Sequence, residues 1–184
     1  MMSNIFFIAD PHFGHEGVCR FLREDGSKLR PWEKAADMDE AMVENWNRVV
    51  GINDKVYCLG DIVMKKEFLP VMARLKGKKN LVRGNHDIFP AKEYLKYFYD
   101  IHACRVLEDM ILTHIPIHRE CMGNYQTNVH GHLHYRSLKD PNYICVSMEH
   151  IDYTPIELGE LRERIARQKI KSSEDESVYV QTCL

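Results

Sequence analysis

Five separated stretches of this sequence end alike: an apolar, strand-like run gives way to a Gly, Pro or Thr turn and then at once to Asp, Asn or His. They deliver Asp10 and His12, Asp61, Asn85 with His86, His114, and His132 with His134. Leaving His86 aside, these are two carboxylates, one amide oxygen and four imidazoles. Mixed oxygen and nitrogen donors without thiolate suit Mn, Fe, Zn, Ni or Co, rather than an all-oxygen calcium site or a cysteine-rich structural zinc site. Seven groups are too many for one tetrahedral ion. With Asp61 shared, they supply about four protein ligands to each of two ions held roughly 3.5 to 4 Å apart.

Such a set needs a scaffold that gathers remote residues. Ile5 to Ala9 reads as a buried strand that empties into a loop at Asp10, because Pro11 ends regular pairing. Between Glu33 and Val50, Ala36, Met38, Met42, Val43, Trp46, Val49 and Val50 recur at helical spacing. Val56 to Leu59 is a second strand, ending at Gly60-Asp61; Phe68 to Leu75 reads as a helix, and Asn80 to Arg83 as a strand running into Gly84-Asn85-His86-Asp87. Strand, helix, strand implies parallel pairing through a right-handed crossover. The aromatic-rich segment up to Tyr99 is predicted helical after Pro90. Arg105 to Leu107 and Met110 to Thr113 form a hairpin about Glu108-Asp109, and Gln126 to His130 and Tyr143 to Met148 are further strands. Glu157 to Lys171 is predicted to be a charged amphipathic helix. The pattern is mixed α/β, with one domain over 1–171. The acidic stretch Ser172 to Ser177 and the strand-like Val178 to Leu184 then form a mobile tail, read either as a frayed end or as an edge strand or dimer contact. Open α/β sheets bind ligands outside the carboxyl ends of their strands, so the five stretches are predicted to converge on one crevice.

The motifs D-x-H at Asp10 to His12, G-D at Gly60-Asp61, G-N-H-D at Gly84 to Asp87, a lone His114 after a strand, and G-H-L-H at Gly131 to His134 together resemble the calcineurin-like metallophosphoesterase superfamily. The resemblance runs in order from residue 5 to 134, and Asn45-Trp46-Asn47 is similar to its small, single-domain bacterial and phage branch. It implies a four-layer αββα sandwich of two mixed sheets flanked by helices, with the site at one end. It also implies two divalent transition-metal ions, Mn foremost and Fe, Zn, Ni or Co as the others. Asp10, His12 and His134 would hold the first, Asn85, His114 and His132 the second, and Asp61 would bridge them. The spacing of two within Asp10/His12 and His132/His134 is read as extended backbone, which sends both side chains to one face. The implied reaction is hydrolysis of a phosphomonoester or phosphodiester by a hydroxide shared between the ions, with His86 protonating the leaving oxygen or stabilising the transition state. Substrate contacts are expected from Asn85, His15 and Arg83.

Other features narrow the field. After Gly60-Asp61 the chain reads Ile62-Val63-Met64-Lys65, without the acidic and arginine residues of protein Ser/Thr phosphatases, which argues against that class. Lys and Arg number 25 against 27 Asp and Glu, a net charge of -2, so no overall basic excess points to nucleic acid or membrane. The expected partner is a small phosphorylated substrate, nucleotides and cyclic nucleotides included. Two rivals remain: a nuclease acting on DNA or RNA, and a non-catalytic binding scaffold of the same fold. With apolar runs about half a membrane span long and no signal-peptide pattern at the start, a cytoplasmic location is expected. The six cysteines are scattered, and Cys58, Cys104 and Cys145 are expected to be core thiols. Arg20, Arg23 and Arg30 are expected either as solvated surface groups or as phosphate contacts. Asp87 is expected to cap the following segment, the alternative being to orient His86, and His130 to cap or line the approach.

Overall fold

The computed structural model describes the backbone of residues 3–182 and the side chains of residues 3–173. The strands, in chain order, are β1 (Ile5–Ile8), β2 (Lys55–Cys58), β3 (Lys78–Val82), β4 (Asp100–His102), β5 (Arg105–Leu107), β6 (Met110–Leu112), β7 (Thr127–His130), β8 (Tyr143–Cys145) and β9 (Ile156–Glu157). They form two sheets, ordered β4-β3-β2-β1-β9 and β5-β6-β7-β8. In the first, β1 to β4 pair in parallel, with Phe6 opposite Val56 and Val56 opposite Lys79, while β9 runs antiparallel to β1. In the second, β5 and β6 form the expected hairpin, Leu107 opposite Met110, and β7 and β8 add in parallel. Both sheets are therefore mixed. Parallel strands are covered on both faces, which is why Val56, Tyr57 and Cys58 are all buried rather than alternating.

Helices flank both sheets. Helix α1 (Ala35–Val49) buries Met38, Met42, Val43 and Trp46 along one stripe. The Trp46 indole N–H donates to the Lys76 carbonyl at 2.9 Å, tying α1 to the connection that leads into β3. A single helical turn, α2 (Ala91–Tyr94), precedes β4. On the other side lies α3 (Leu158–Thr182), where the Gln168 amide donates to the Tyr143 carbonyl of β8 at 2.8 Å. One apolar cluster joins Phe7 and Ile8 of β1 and Leu81 of β3 to Leu112, Val129 and Ile144 of the second sheet. Just past β1 the sheets are stitched directly, Ala9 N–H to Val146 O at 2.9 Å and Met148 N–H to Ala9 O at 3.1 Å. The architecture is the α/β arrangement of two mixed sheets between helices.

Several expectations change. In place of the helix expected over Phe68 to Leu75 there is a 3₁₀ run, Lys66–Arg74, with Leu75 extended beyond it, because Pro70 inside it has no N–H for an α-helical ladder. The segment up to Tyr99 keeps only one helical turn: Tyr94 and Phe98 bury their rings, and the chain then pairs with β3. The helix predicted from Glu157 starts after β9 and continues through Thr182, across the acidic stretch and most of the strand-like tail. A helix pairs its own backbone groups, whereas a terminal strand with no neighbour leaves them bare; residues 183–184 lie outside the described residues. Cys58 and Cys145 are buried, but Cys104 is exposed in the connection between β4 and β5. No helix among the described residues is long and apolar enough to cross a membrane.

Candidate metal centre

The ends of β1, β2, β3, β6 and β7 meet. Donor atoms of Asp10, His12 and His134 lie within 4.8 Å of one another, and so do those of Asp61, His114 and His132. Asp61 faces both groups, its Oδ2 standing 3.8 Å from His12 Nε2 and 3.4 Å from His114 Nε2. Asn85 Oδ1 is 2.9 Å from His114 Nε2. The seven predicted donors thus form two triads, with Asp61 between them and Asn85 beside the second.

The local backbone is not the extended one assumed from the spacing. Asp10, His12, Asp61, His132 and His134 all have positive φ, between 50° and 70°. That left-handed region costs a non-glycine residue on the order of 1 to 3 kcal/mol, Asp and His being among those that enter it most readily. Bonds between loops hold it: Asp10 N–H reaches Gly60 O at 3.0 Å, His12 N–H reaches Asp61 O at 3.1 Å, and His132 N–H reaches Asp10 Oδ2 at 2.9 Å. Close approach also explains two motif glycines. A Cβ on Gly131 would lie 2.5 Å from Ala9 Cβ and 2.6 Å from Asp10 Oδ2, and one on Gly84 would lie 2.6 Å from Asp61 N.

The donors fit cations. Asp10 is fully buried; its Oδ2 accepts from Ser147 Oγ at 2.6 Å, while its Oδ1 has no partner among the described residues. His12 is 3% exposed, and neither ring nitrogen has a partner among the described residues. Each buried polar atom left unsatisfied costs about 1 to 3 kcal/mol, and a cation between these atoms supplies the missing partner. His114 and His134 are oriented from behind. His114 Nδ1 lies 2.7 Å from Leu59 O and His134 Nδ1 lies 3.1 Å from Glu149 Oε1, which leaves Nε2 of each ring as the ligand atom.

Burial raises the Asp10 carboxyl above its usual range, although His114, His134 and Ser147 oppose it. Burial, with Arg30 and His134 adding, holds His12 well below the ordinary imidazole value, so it is neutral and competent to bind metal. For Asp61 burial acts upward, but the His114 hydrogen bond and charge leave it below the usual carboxylate range. Burial alone would depress His114; Asp61 and Asp10 outweigh it and lift that imidazole to about 8. Glu149 shows the same contest, burial acting upward and Arg30 with His134 holding it down to about 2.

The remaining predicted residues take different places. His86 stands at the mouth with its side chain 46% exposed; its N–H donates to Asp61 Oδ1 at 2.8 Å, and its ring lies 5.8 Å from that of His12. His15 lies edge-on to His12 at the same separation of 5.8 Å. Arg83 donates to the carbonyls of Asp87 (Nε, 3.0 Å) and Phe89 (2.9 Å), bracing the G-N-H-D turn. Asp87 neither caps the next segment nor orients His86. It is buried and accepts from Asp61 N and Gly84 N at 2.8 Å each and from Ile62 N at 3.1 Å, clamping two ligand loops together. His130 is likewise buried, its Nδ1 2.8 Å from Gly131 O, and does not line an approach. Arg30, expected in solvent or on phosphate, is fully buried against Glu149. Sequence reasoning missed Ser147 and Glu149; the signal was there as one polar residue interrupting the apolar run Cys145 to Met148 and a carboxylate directly after it.

No protein-family model matches the chain. The sequence is 28% identical to an uncharacterized protein of Methanocaldococcus jannaschii over 184 residues, covering 92% of this chain and 95% of that one. Among solved structures, a protein of unknown function from Aquifex aeolicus superposes with a TM-score of 0.68 at 26% identity, over 88% of this chain and 99% of that one. The gene 66 protein of Mycobacterium phage D29 is 36% identical over 91 residues, and the match spans only 41% of its length. The first two are whole-chain relatives, and the second of them shares the fold.

Proposed function

We propose that this protein is a metal-dependent phosphoesterase of the calcineurin-like kind, hydrolysing phosphomonoesters or phosphodiesters, nucleotides and cyclic nucleotides among them. The observation that carries the reading is the pair of adjacent triads, Asp61 of the second standing 3.8 Å from His12 of the first, with Asp10 Oδ1 and both His12 nitrogens buried and unpartnered among the described residues. Asp10, His12 and His134 would hold one divalent ion, His114, His132 and Asn85 a second, and Asp61 both. Mn is the first choice for a donor set of carboxylate, amide and imidazole, with Fe, Zn, Ni or Co as the others. When bound, such a pair lowers the pKa of water into the neutral range and draws negative charge off a phosphoryl oxygen. The chain's own groups do the rest. His86, half exposed and with its backbone N–H on Asp61, would give a proton to the departing ester oxygen. His15, edge-on to His12, would meet the substrate's phosphate, with Asn85 serving substrate and ion together; Arg83, expected to contact phosphate as well, is tied to the Asp87 and Phe89 carbonyls and would act by bracing the turn that carries Asn85 and His86.

The test is ion content and turnover measured together. Purified protein titrated with Mn2+ should take up two ions per chain and then hydrolyse p-nitrophenyl phosphate, its bis ester, or both. Asp61→Asn should weaken the binding of both ions and abolish turnover. Two ions bound with neither ester cleaved would refute the catalytic reading, and equal ion content in wild type and Asp61→Asn would refute the shared carboxylate.

A further inference from the structure

The first triad rests on charged groups that no motif predicts. Arg30 belongs to the irregular segment between His12 and α1, yet its side chain is fully buried. Its guanidinium donates to the Asp10 carbonyl at 2.6 Å and the Pro11 carbonyl at 2.8 Å, and its Nε pairs with Glu149 Oε1 at 2.9 Å. The same Glu149 Oε1 lies 3.1 Å from His134 Nδ1. Both side chains of the ion pair are 0% exposed, and Glu149 Oε2 has no partner among the described residues. A buried ion pair is poor value as a device for stability, since desolvating two charges cancels most of their attraction and an apolar pair of similar volume does as well or better. What an apolar pair could not do here is fix two backbone carbonyls beside Asp10 and His12 and, through one oxygen atom, the tautomer and angle of His134.

We infer that Arg30 and Glu149 are positioning residues for the first ion: Arg30 sets the loop carrying Asp10 and His12, Glu149 sets His134, and their ion pair locks the two settings together. The second triad is backed differently: the buried Asp87 carboxylate holds backbone N–H groups of the Asp61 and Gly84 loops, and among the described residues no arginine–carboxylate pair stands behind its histidines. There His114 leans on the Leu59 carbonyl and contacts Asn85, both on neighbouring loops. The first site is therefore preassembled by charge and should be the one that depends on Glu149, while the second should not. This inference rests on the metal-centre reading above.

Mn2+ titration calorimetry on the full chain, with Co2+ visible absorption as a second readout, tests it. Partners that orient a ligating histidine from behind are typically worth 10- to 100-fold in metal affinity. Glu149→Gln should keep the fold and weaken one of the two ions by about that factor, leaving the other within about 3-fold. It should also alter the Co2+ band of the ion whose binding is weakened. Adding Glu149→Gln to His134→Ala should cost less than about 3-fold more, because the histidine it orients is gone. If Glu149→Gln does not fold, Glu149→Asp, which keeps the charge on a shorter arm, should show the same loss confined to one ion. Two ions bound as in wild type would overturn the inference, and so would equal weakening of both, which marks a merely structural role. A wild type that binds no pair of ions would instead overturn the metal-centre reading itself, whatever the variants do.

Discussion

Asp39 sits on the buried stripe of α1, its Oδ2 accepting from the Gly14 N–H at 2.9 Å and its Oδ1 without a partner among the described residues. Burial, with Glu40 and Glu16 adding, lifts its carboxyl from an ordinary 3.8 to about 7, against the pull of the Gly14 N–H and Arg30. Below the unfolded value both states hold the proton and the group is neutral in effect. Between the two values the native state keeps a proton that the unfolded chain has released, so stability falls as pH rises, and above the native value the full cost of a buried carboxylate is felt. A shift of this size has a ceiling of roughly 4 kcal/mol at about 1.4 kcal/mol per unit, reduced to about half because the carboxyl lies near the surface. Asp39→Asn keeps an acceptor for Gly14 and removes the charge. Urea unfolding in EDTA should show the variant gaining about 1 to 3 kcal/mol on wild type between pH 5 and pH 8. A difference that stays constant over that range, or that is larger at pH 5, would refute the reasoning.

Other perturbations probe the loops themselves. Asp87→Ala strands three backbone N–H donors, those of Asp61, Ile62 and Gly84; urea unfolding should show a loss of about 2 to 4 kcal/mol, and a change under about 0.5 would mean the clamp is dispensable. Gly131→Ala drives a methyl into Ala9 and Asp10; a loss of about 1 to 3 kcal/mol together with weakened Mn2+ uptake is expected, whereas unchanged uptake would show that the loop gives way. His86→Gln should bind Mn2+ as wild type does and lose about 10² to 10⁴ in turnover on p-nitrophenyl substrates, and an unchanged rate would remove His86 from proton transfer.

Much of the site can be read in the sequence because its signals are local. An apolar run broken by Gly-Asp or Asp-Pro is a strand end whatever surrounds it, and the Glu108-Asp109 hairpin and the Trp46 stripe declare themselves within a few residues. These preferences fix where strands stop and so which donors stand at their ends. Long-range partners decide the rest. β4 and the two-residue β9 exist only because β3 and β1 offer them edges. Asp87 acts on Asp61 and Ile62 from 26 and 25 residues away, and Arg30 meets Glu149 across 119 residues. The left-handed turns at Asp10, His12, Asp61, His132 and His134 are the sharpest case. Local sterics disfavour that conformation, and only hydrogen bonds between loops brought together by the two sheets hold it. The sequence by itself determined which donors are present and where each strand releases them; the tertiary structure alone decided their angles, because those depend on contacts between segments far apart in the chain.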